Sequence, residues 1–202
     1  MEILKTASTR DSKQIAEIHI EAFPGFFLTF LGKGFLQHLY AGFIQHQDSG
    51  VLIAKEGEQI FGFLAYSNDL SKFYSFLLKK YFIVFAWYGF IGAIKSPKSI
   101  LRILRALSYA TAAKQDEKYI EISSIAVDPK IQTKGIGSQN ISSLVEKVQD
   151  TGVSIIRLET DSVGNDKANS FYQKNGFILE LESITPEGRK MNHYVRTISP
   201  IG

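Results

Sequence analysis

Residues 120–177 constrain the fold more tightly than any other part of the chain. Tyr119 to Val127 is rich in β-branched residues and stops at Asp128-Pro129, as a strand running into a turn does. A glycine-bearing loop follows, Gln132-Thr133-Lys134-Gly135-Ile136-Gly137-Ser138, and opens a helix predicted over Gly135 to Gln149. Ile136, Ile141, Leu144, Val145 and Val148 mark its apolar face. Val153 to Glu159 reads as a second strand, and Asp166 to Lys174 as a short helix stopped by Asn175-Gly176, both suited to a left-handed cap. Two strands flanking a helical crossover are expected to be parallel neighbours. A glycine loop that opens a helix beside a strand end is an anion site, because unpaired N–H groups and the positive end of the helix dipole face the same point.

The flanking chain supplies the rest of a layered domain. Ile3 to Ala7 reads as a first strand, and Asp11 with Gln14 resembles a capping box for a helix carrying Ile15, Ile18 and Ala22. A second helix is predicted over 33–45, with Phe35, Leu36, Leu39, Tyr40 and Phe43 on its buried face. Between the two lies the aromatic stretch Phe23-Pro24-Gly25-Phe26-Phe27. Residues 51–55 and 59–66 form a hairpin pattern, and 177–184 and 193–198 read as closing strands. The 202 residues suit one domain, 1–202, interrupted by an insertion over about 70–115.

That insertion is chemically distinct. Eight of the 23 Lys and Arg residues fall between Leu70 and Gln115, and none of the 20 Asp and Glu do. Its apolar run from Tyr81 to Ile94 falls short of the roughly 20 residues that span a bilayer. Lys98, Arg102 and Arg105 then mark one side of a helix after Pro97. Three readings stay open: helices packed over an acceptor pocket, a homodimer contact, or a segment lying on an anionic membrane surface. Nucleic-acid binding is not expected, since the positive charges sit among aromatics rather than along a polar stripe. The absence of cysteine excludes disulfides, zinc-thiolate sites and a cysteine nucleophile. The four histidines show no metal-ligand spacing, so no metal is expected, and His38 reads as a surface helix position. Met1 to Lys5 lacks the features of a signal peptide, and a cytoplasmic location is expected.

Two nucleotide-binding alternatives fail. Asn140 stands where the third glycine of a dinucleotide fingerprint belongs, and no Gly-Lys-Ser/Thr follows the loop. By contrast, Ile125-Ala126-Val127-Asp128-Pro129 with Gln132-x-x-Gly135-x-Gly137 resembles the pyrophosphate motif of the GNAT acetyltransferases. Asn165-x-x-Ala168-x-x-Phe171-Tyr172-x-x-x-Gly176-Phe177 is similar to the second signature of that family. The two stand in the family's order and separation, and the likeness is close over about 120–180.

The resemblance implies an α+β fold layered α/β/α, with a mixed sheet of about six or seven strands and a helical insertion between the third and fourth. The fourth and fifth strands would be parallel and splayed. It implies acetyl-CoA as cosubstrate, its pyrophosphate held by amides of Gln132, Thr133, Lys134, Gly135, Ile136, Gly137 and Ser138. Pantetheine would lie against Ile125, Ala126 and Val127 like a missing strand, with Asn165 and Ala168 on its other side; Asn165 also stands where a helix N-cap belongs. Tyr172 becomes the candidate general acid and Glu121 the candidate base, in place of a water. The acceptor would be a primary amine of a small molecule; an amino sugar, an amino acid, a peptide N-terminus and an aminoglycoside all remain open. A longer acyl donor, a non-catalytic acyl-CoA sensor and a membrane-surface acyltransferase are the rival readings.

Overall fold

The computed structural model describes residues 5–26, 28–95, 119–131, 135–186 and 188–198. Seven strands form one sheet in the order β1-β2-β3-β4-β5-β7-β6. They are β1 (Lys5–Thr6), β2 (Ser49–Glu56), β3 (Gln59–Ser67), β4 (Tyr119–Val127), β5 (Ile155–Asp161), β6 (Ile178–Ile184) and β7 (Lys190–Thr197). β4 and β5 are the parallel pair, and the other neighbours run antiparallel. The helices are α1 (Ser12–Ala22), α2 (Lys33–Gln45), α3 (Leu70–Lys95), α4 (Ile136–Val148) and α5 (Asp166–Lys174). The mixed sheet and layered α+β architecture expected from the sequence are therefore present.

Both faces of the central strands are covered, which is why Val51 to Ala54 is an unbroken apolar run rather than an alternating one. Ile53, Phe63 and Ala65 pack on one side against Ile15, Leu36 and Phe43 of α1 and α2. Leu52, Leu64, Ile120 and Ile156 pack on the other side against Ile141, Leu144 and Val148 of α4. β2 and β3 thus send alternate side chains into two separate cores.

α3 sits between β3 and β4 in the chain and packs on α2. Gly34 and Gly42, two turns apart on α2, make the close approach feasible. A Cβ at Gly42 would stand 2.7 Å from Leu77 Cδ1, and one at Gly34 would overlap the Tyr88 hydroxyl. Phe43 and Phe73 stack with ring centroids 3.9 Å apart. Tyr81 has non-helical torsions and kinks α3; its hydroxyl donates to Gln45 Oε1 and its ring meets His38 edge-on. His38 is accordingly half-buried beneath α3 rather than a surface position, because α3 lies over that face of α2. Phe82, Ile83, Trp87 and Phe90 face outward. Among the described residues no helix is long and apolar enough to cross a membrane. Lys98, Arg102 and Arg105 lie outside the described residues.

The N-terminal cap differs from the expected one. The Asp11 carboxylate accepts from the N–H and Oγ–H of Ser8, closing a turn before α1. Gln14 instead ties α1 to the hairpin, donating to the Glu58 carbonyl and accepting from the Ile60 N–H. The sequence pattern located the helix start and misassigned the partners.

Candidate active site

β4 and β5 pair only over Tyr119–Glu121 and Ile155–Arg157. Beyond Glu121 they part, while β4 stays paired with β3 up to Val127. Ser123 is an extra residue on β4, since Tyr66 pairs with Ile122 and Ala65 with Ser124. Such a bulge bends its strand and re-aims the side chains around it. From Ser123 to Val127 the edge of β4 that faces β5 has no strand partner among the described residues, and these five residues line a cavity of about 1340 Å³. A bare strand edge carries free N–H and C=O groups that an extended amide-bearing ligand can pair with.

One end of this cavity is built by α4 and α5. Gly135 caps α4 at φ +92°, in the left-handed region that favours glycine. Gly137 faces the Phe171 ring, where an added Cβ would stand 3.0 Å away. Gly137, Asn165, Ala168 and Tyr172 all line the cavity. The side chain of Ile136 is instead fully buried, leaving only its backbone for a ligand. Ser138 follows on the first turn of α4, half-buried. Gln132, Thr133 and Lys134 lie outside the described residues.

Asn165 holds the N-cap position of α5, yet its side chain makes no cap hydrogen bond. Its Nδ2 donates to Thr160 Oγ1 at 2.7 Å, which fastens the start of α5 to the end of β5. Asn169, which the sequence pattern did not single out, is the larger anchor. Its Nδ2 donates to the carbonyls of Asp161 and Asn165, and its Oδ1 accepts from Asn192 Nδ2 and the Tyr194 hydroxyl. Replacing it with alanine leaves several of these partners unpaired. We expect Asn169→Ala to lower stability by about 2–4 kcal/mol, read from the denaturant midpoint; a shift under about 1 kcal/mol would show that water replaces the hub. One turn further on, Tyr172 is held by Phe171, Phe177 and Tyr194, with ring centroids 5.4–5.9 Å away. Burial pushes its phenol up to about 12, so it stays protonated at neutral pH.

Carboxylates also line the cavity: Glu121, Glu159 and Asp161. Burial, then the charge of Glu159, push the Glu121 carboxyl up to about 7 against the pull of Arg157. Tyr74 of α3 is raised as well, first by burial and then by the same two glutamates, which locates it beside them. Glu159 lies 3.1 Å from His193 Nδ1, and His193 Nε2 pairs with Ser183 Oγ at 2.7 Å. Asp161 is gripped by Arg189 through three hydrogen bonds of 2.7–3.0 Å. Deeper in, His19 Nδ1 and the Tyr40 hydroxyl are 2.6 Å apart, and Tyr40 donates to Ser124 Oγ at 3.2 Å. Burial lowers His19 to about 4, so its ring is neutral. Among the described residues no group of His, Asp or Glu could hold a metal ion.

The structure thus brings Glu121, Ile125, Ala126, Val127, Gly137, Asn165, Ala168 and Tyr172 to one cavity. It adds Glu159, Asp161, His19 and Ser124, which no motif marks. The one available signal was that Glu159 shares strand alternation with Arg157 and Asp161, placing it on one face of β5.

A model of the acetyltransferase (GNAT) family matches residues 13–177. No curated protein matches the sequence. Among solved structures, the chain resembles the ribosomal-protein-S18-alanine N-acetyltransferase of Escherichia coli at 17% identity and TM-score 0.58, covering 100% of this chain and 97% of that one. An N-acetyltransferase from Staphylococcus aureus Mu50 aligns at 16% identity and TM-score 0.61, covering 98% of each chain. The protein yncA of Salmonella typhimurium, solved with its cofactor acetyl-CoA, aligns at 13% identity and TM-score 0.58, covering 98% and 95%.

Proposed function

The chain belongs to the acetyltransferase (GNAT) family, and from that premise we propose that it transfers an acetyl group from acetyl-CoA to a primary amine of a small molecule. One observation carries this reading: a single cavity joins the unpaired edge of β4 and the face of α5 to the carboxylates Glu121 and Glu159. Donor and acceptor can therefore meet without a covalent enzyme intermediate.

On the donor side, the free edge of Ile125 to Val127 offers main-chain partners to the pantetheine amides. A main-chain N–H there would also stabilise the oxyanion as the carbonyl becomes tetrahedral. Gly135, Gly137 and Ser138 open α4, where free N–H groups and the helix dipole suit a pyrophosphate; by the family motif Gln132, Thr133 and Lys134 extend that cradle. On the acceptor side, an amine arrives as ammonium and must lose a proton before it attacks. Glu121, poised near pH 7, takes it. The amine nitrogen then bonds to the acetyl carbon, a second proton leaves nitrogen, and the C–S bond breaks. Tyr172 donates a hydrogen bond to the departing sulfur. Two protons leave nitrogen, one ends on the coenzyme thiol and one reaches solvent. Such a reaction belongs in the cytoplasm, where coenzyme A thioesters are made.

Calorimetry with acetyl-CoA tests the donor half. A Cβ at Gly135 meets nothing within 4 Å, so a substitution there is felt through backbone conformation alone. A β-branched residue in this left-handed conformation costs about 1–2 kcal/mol, so Gly135→Val should weaken acetyl-CoA binding roughly ten-fold while far-UV spectra stay unchanged. Failure of the wild-type protein to bind acetyl-CoA would remove the reading. Binding without thiol release from any amine tried would favour an acyl-CoA sensor instead.

A further inference from the structure

The acceptor half of the cavity is walled very differently from its floor. Phe23, Phe26, Leu28 and Leu31, from the segment between α1 and α2, form one wall. α3, which packs against the Thr29–Leu31 turn, continues the lining with Leu78, Phe82, Phe85 and Gly89, which recur at helical spacing after Leu77. Because the Tyr81 kink falls within this stripe, the second half of α3 takes its own direction and still contributes to the same wall. These stretches are hydrocarbon and aromatic ring; the hydroxyls of the lining include that of Tyr74, beside the two glutamates, and those of Ser123, Ser124 and Thr160 on β4 and β5.

Glu121 and Glu159 line the cavity together and are acceptor-only when ionised. Arg189 is the only Lys or Arg among the described lining residues, and Asp161 pairs with its guanidinium along the Nε–Nη2 edge. A phosphate-bearing or otherwise anionic acceptor therefore finds no free cation among these residues. A sugar laid along the Phe23–Leu31 segment and the apolar stripe of α3 would bury hydroxyls against hydrocarbon, which is costly. A cation on an apolar body meets both demands.

Resting on the acetyltransferase reading, we propose that the acceptor is a hydrophobic primary amine, an alkyl- or arylalkylamine, whose ammonium sits at Glu121 and Glu159 while its apolar body lies against the Phe23–Leu31 segment and α3. This narrows the acceptor class away from sugars and polyamines. Leu78 and Phe82 of α3 line the cavity yet are exposed, by 38% and 67%, so they mark its solvent side, toward which longer chains run.

A homologous series of amines tests the proposal. Each methylene moved from water into such walls strengthens binding about four-fold. From butylamine to octylamine the Kd, measured by calorimetry on the protein with and without coenzyme A, should fall by about two orders of magnitude. KM in a thiol-release assay with acetyl-CoA should follow it. Leu78→Ser and Phe82→Ser, at partly exposed positions that spare the fold, should flatten that dependence. Glucosamine and spermidine should bind at least roughly ten-fold more weakly than octylamine. Amine affinities independent of chain length, or glucosamine or spermidine preferred over octylamine, would overturn the proposal. Because amine binding is read without turnover, its outcome is separate from that of the acetyl-CoA titration, whose failure would instead strike the acetyltransferase reading.

Discussion

Replacing Glu121 with glutamine is expected to lower kcat/KM by about 10²–10⁴-fold, the usual contribution of a positioned acid–base group, and at the same time to make the protein more stable above neutral pH. The two effects share one cause. Burial and the charge of Glu159 raise the Glu121 carboxyl to about 7, so the folded protein favours the protonated form. A carboxyl raised in this way contributes stability that is full below its unfolded value, near 4.5, and is lost as pH climbs through about 7. Glutamine does not ionise and escapes that loss. The side chain stands at the wall of an open cavity, so solvent reduces the effect to about 1–2 kcal/mol, or roughly 2–8 °C at about pH 8. At about pH 4, below the unfolded value, the two proteins should melt together. The wild-type rate profile should show an acidic limb with an apparent pKa of about 7 that the variant lacks. Unchanged turnover under alkaline conditions would mean that water carries the proton instead.

Removing the hydroxyl of Tyr172 should lower kcat by about 10–100-fold, with acetyl-CoA affinity kept within about three-fold. The magnitude follows from the role. A phenol pushed up to about 12 is a weaker acid than a thiol near 8.5, so outright proton transfer to the leaving thiolate is uphill. What Tyr172 supplies is a hydrogen bond to charge developing on sulfur, and such bonds to ions are worth about 1.5–3 kcal/mol. Phenylalanine keeps the ring between Phe171, Phe177 and Tyr194, so packing is preserved. Steady-state kinetics with donor titration would check it; an unaltered kcat would assign Tyr172 to packing alone.

The donor half of the site was legible because its chemistry is local in sequence. Gly135, Gly137, Asn165 and Tyr172 lie within two motifs, and the strands that bring those motifs together are adjacent β-branched runs. The parallel β4/β5 pair followed from the same stretch, and its splay was what the family resemblance of those motifs implied. The acceptor half was not legible, because it is assembled over distance. Tyr40 and Ser124 are 84 residues apart, and His19 joins them from another helix. Glu159, His193 and Ser183 come from three strands whose register no single-sequence pattern reveals. Side-chain partnerships were the least readable level. Asn165 was placed correctly as the residue before α5, but its amide turns to Thr160, and Gln14 turns from its own helix to the hairpin. Polar side chains with several partners in reach are settled by tertiary geometry, which helix-end statistics do not contain.

The missing ladder beyond Glu121 also divides hereditary labour within the protein. Main-chain atoms do not change when a codon does, so a ligand paired to the bare edge of β4 is recognised by something most substitutions leave alone. Other parts of the cavity lining are side chains from the Phe23–Leu31 segment and α3, neither of which forms part of the sheet. Under the proposed acceptor reading, lineages can therefore exchange one amine for another by altering those walls while the acetyl donor, and the frame that holds it, stay fixed.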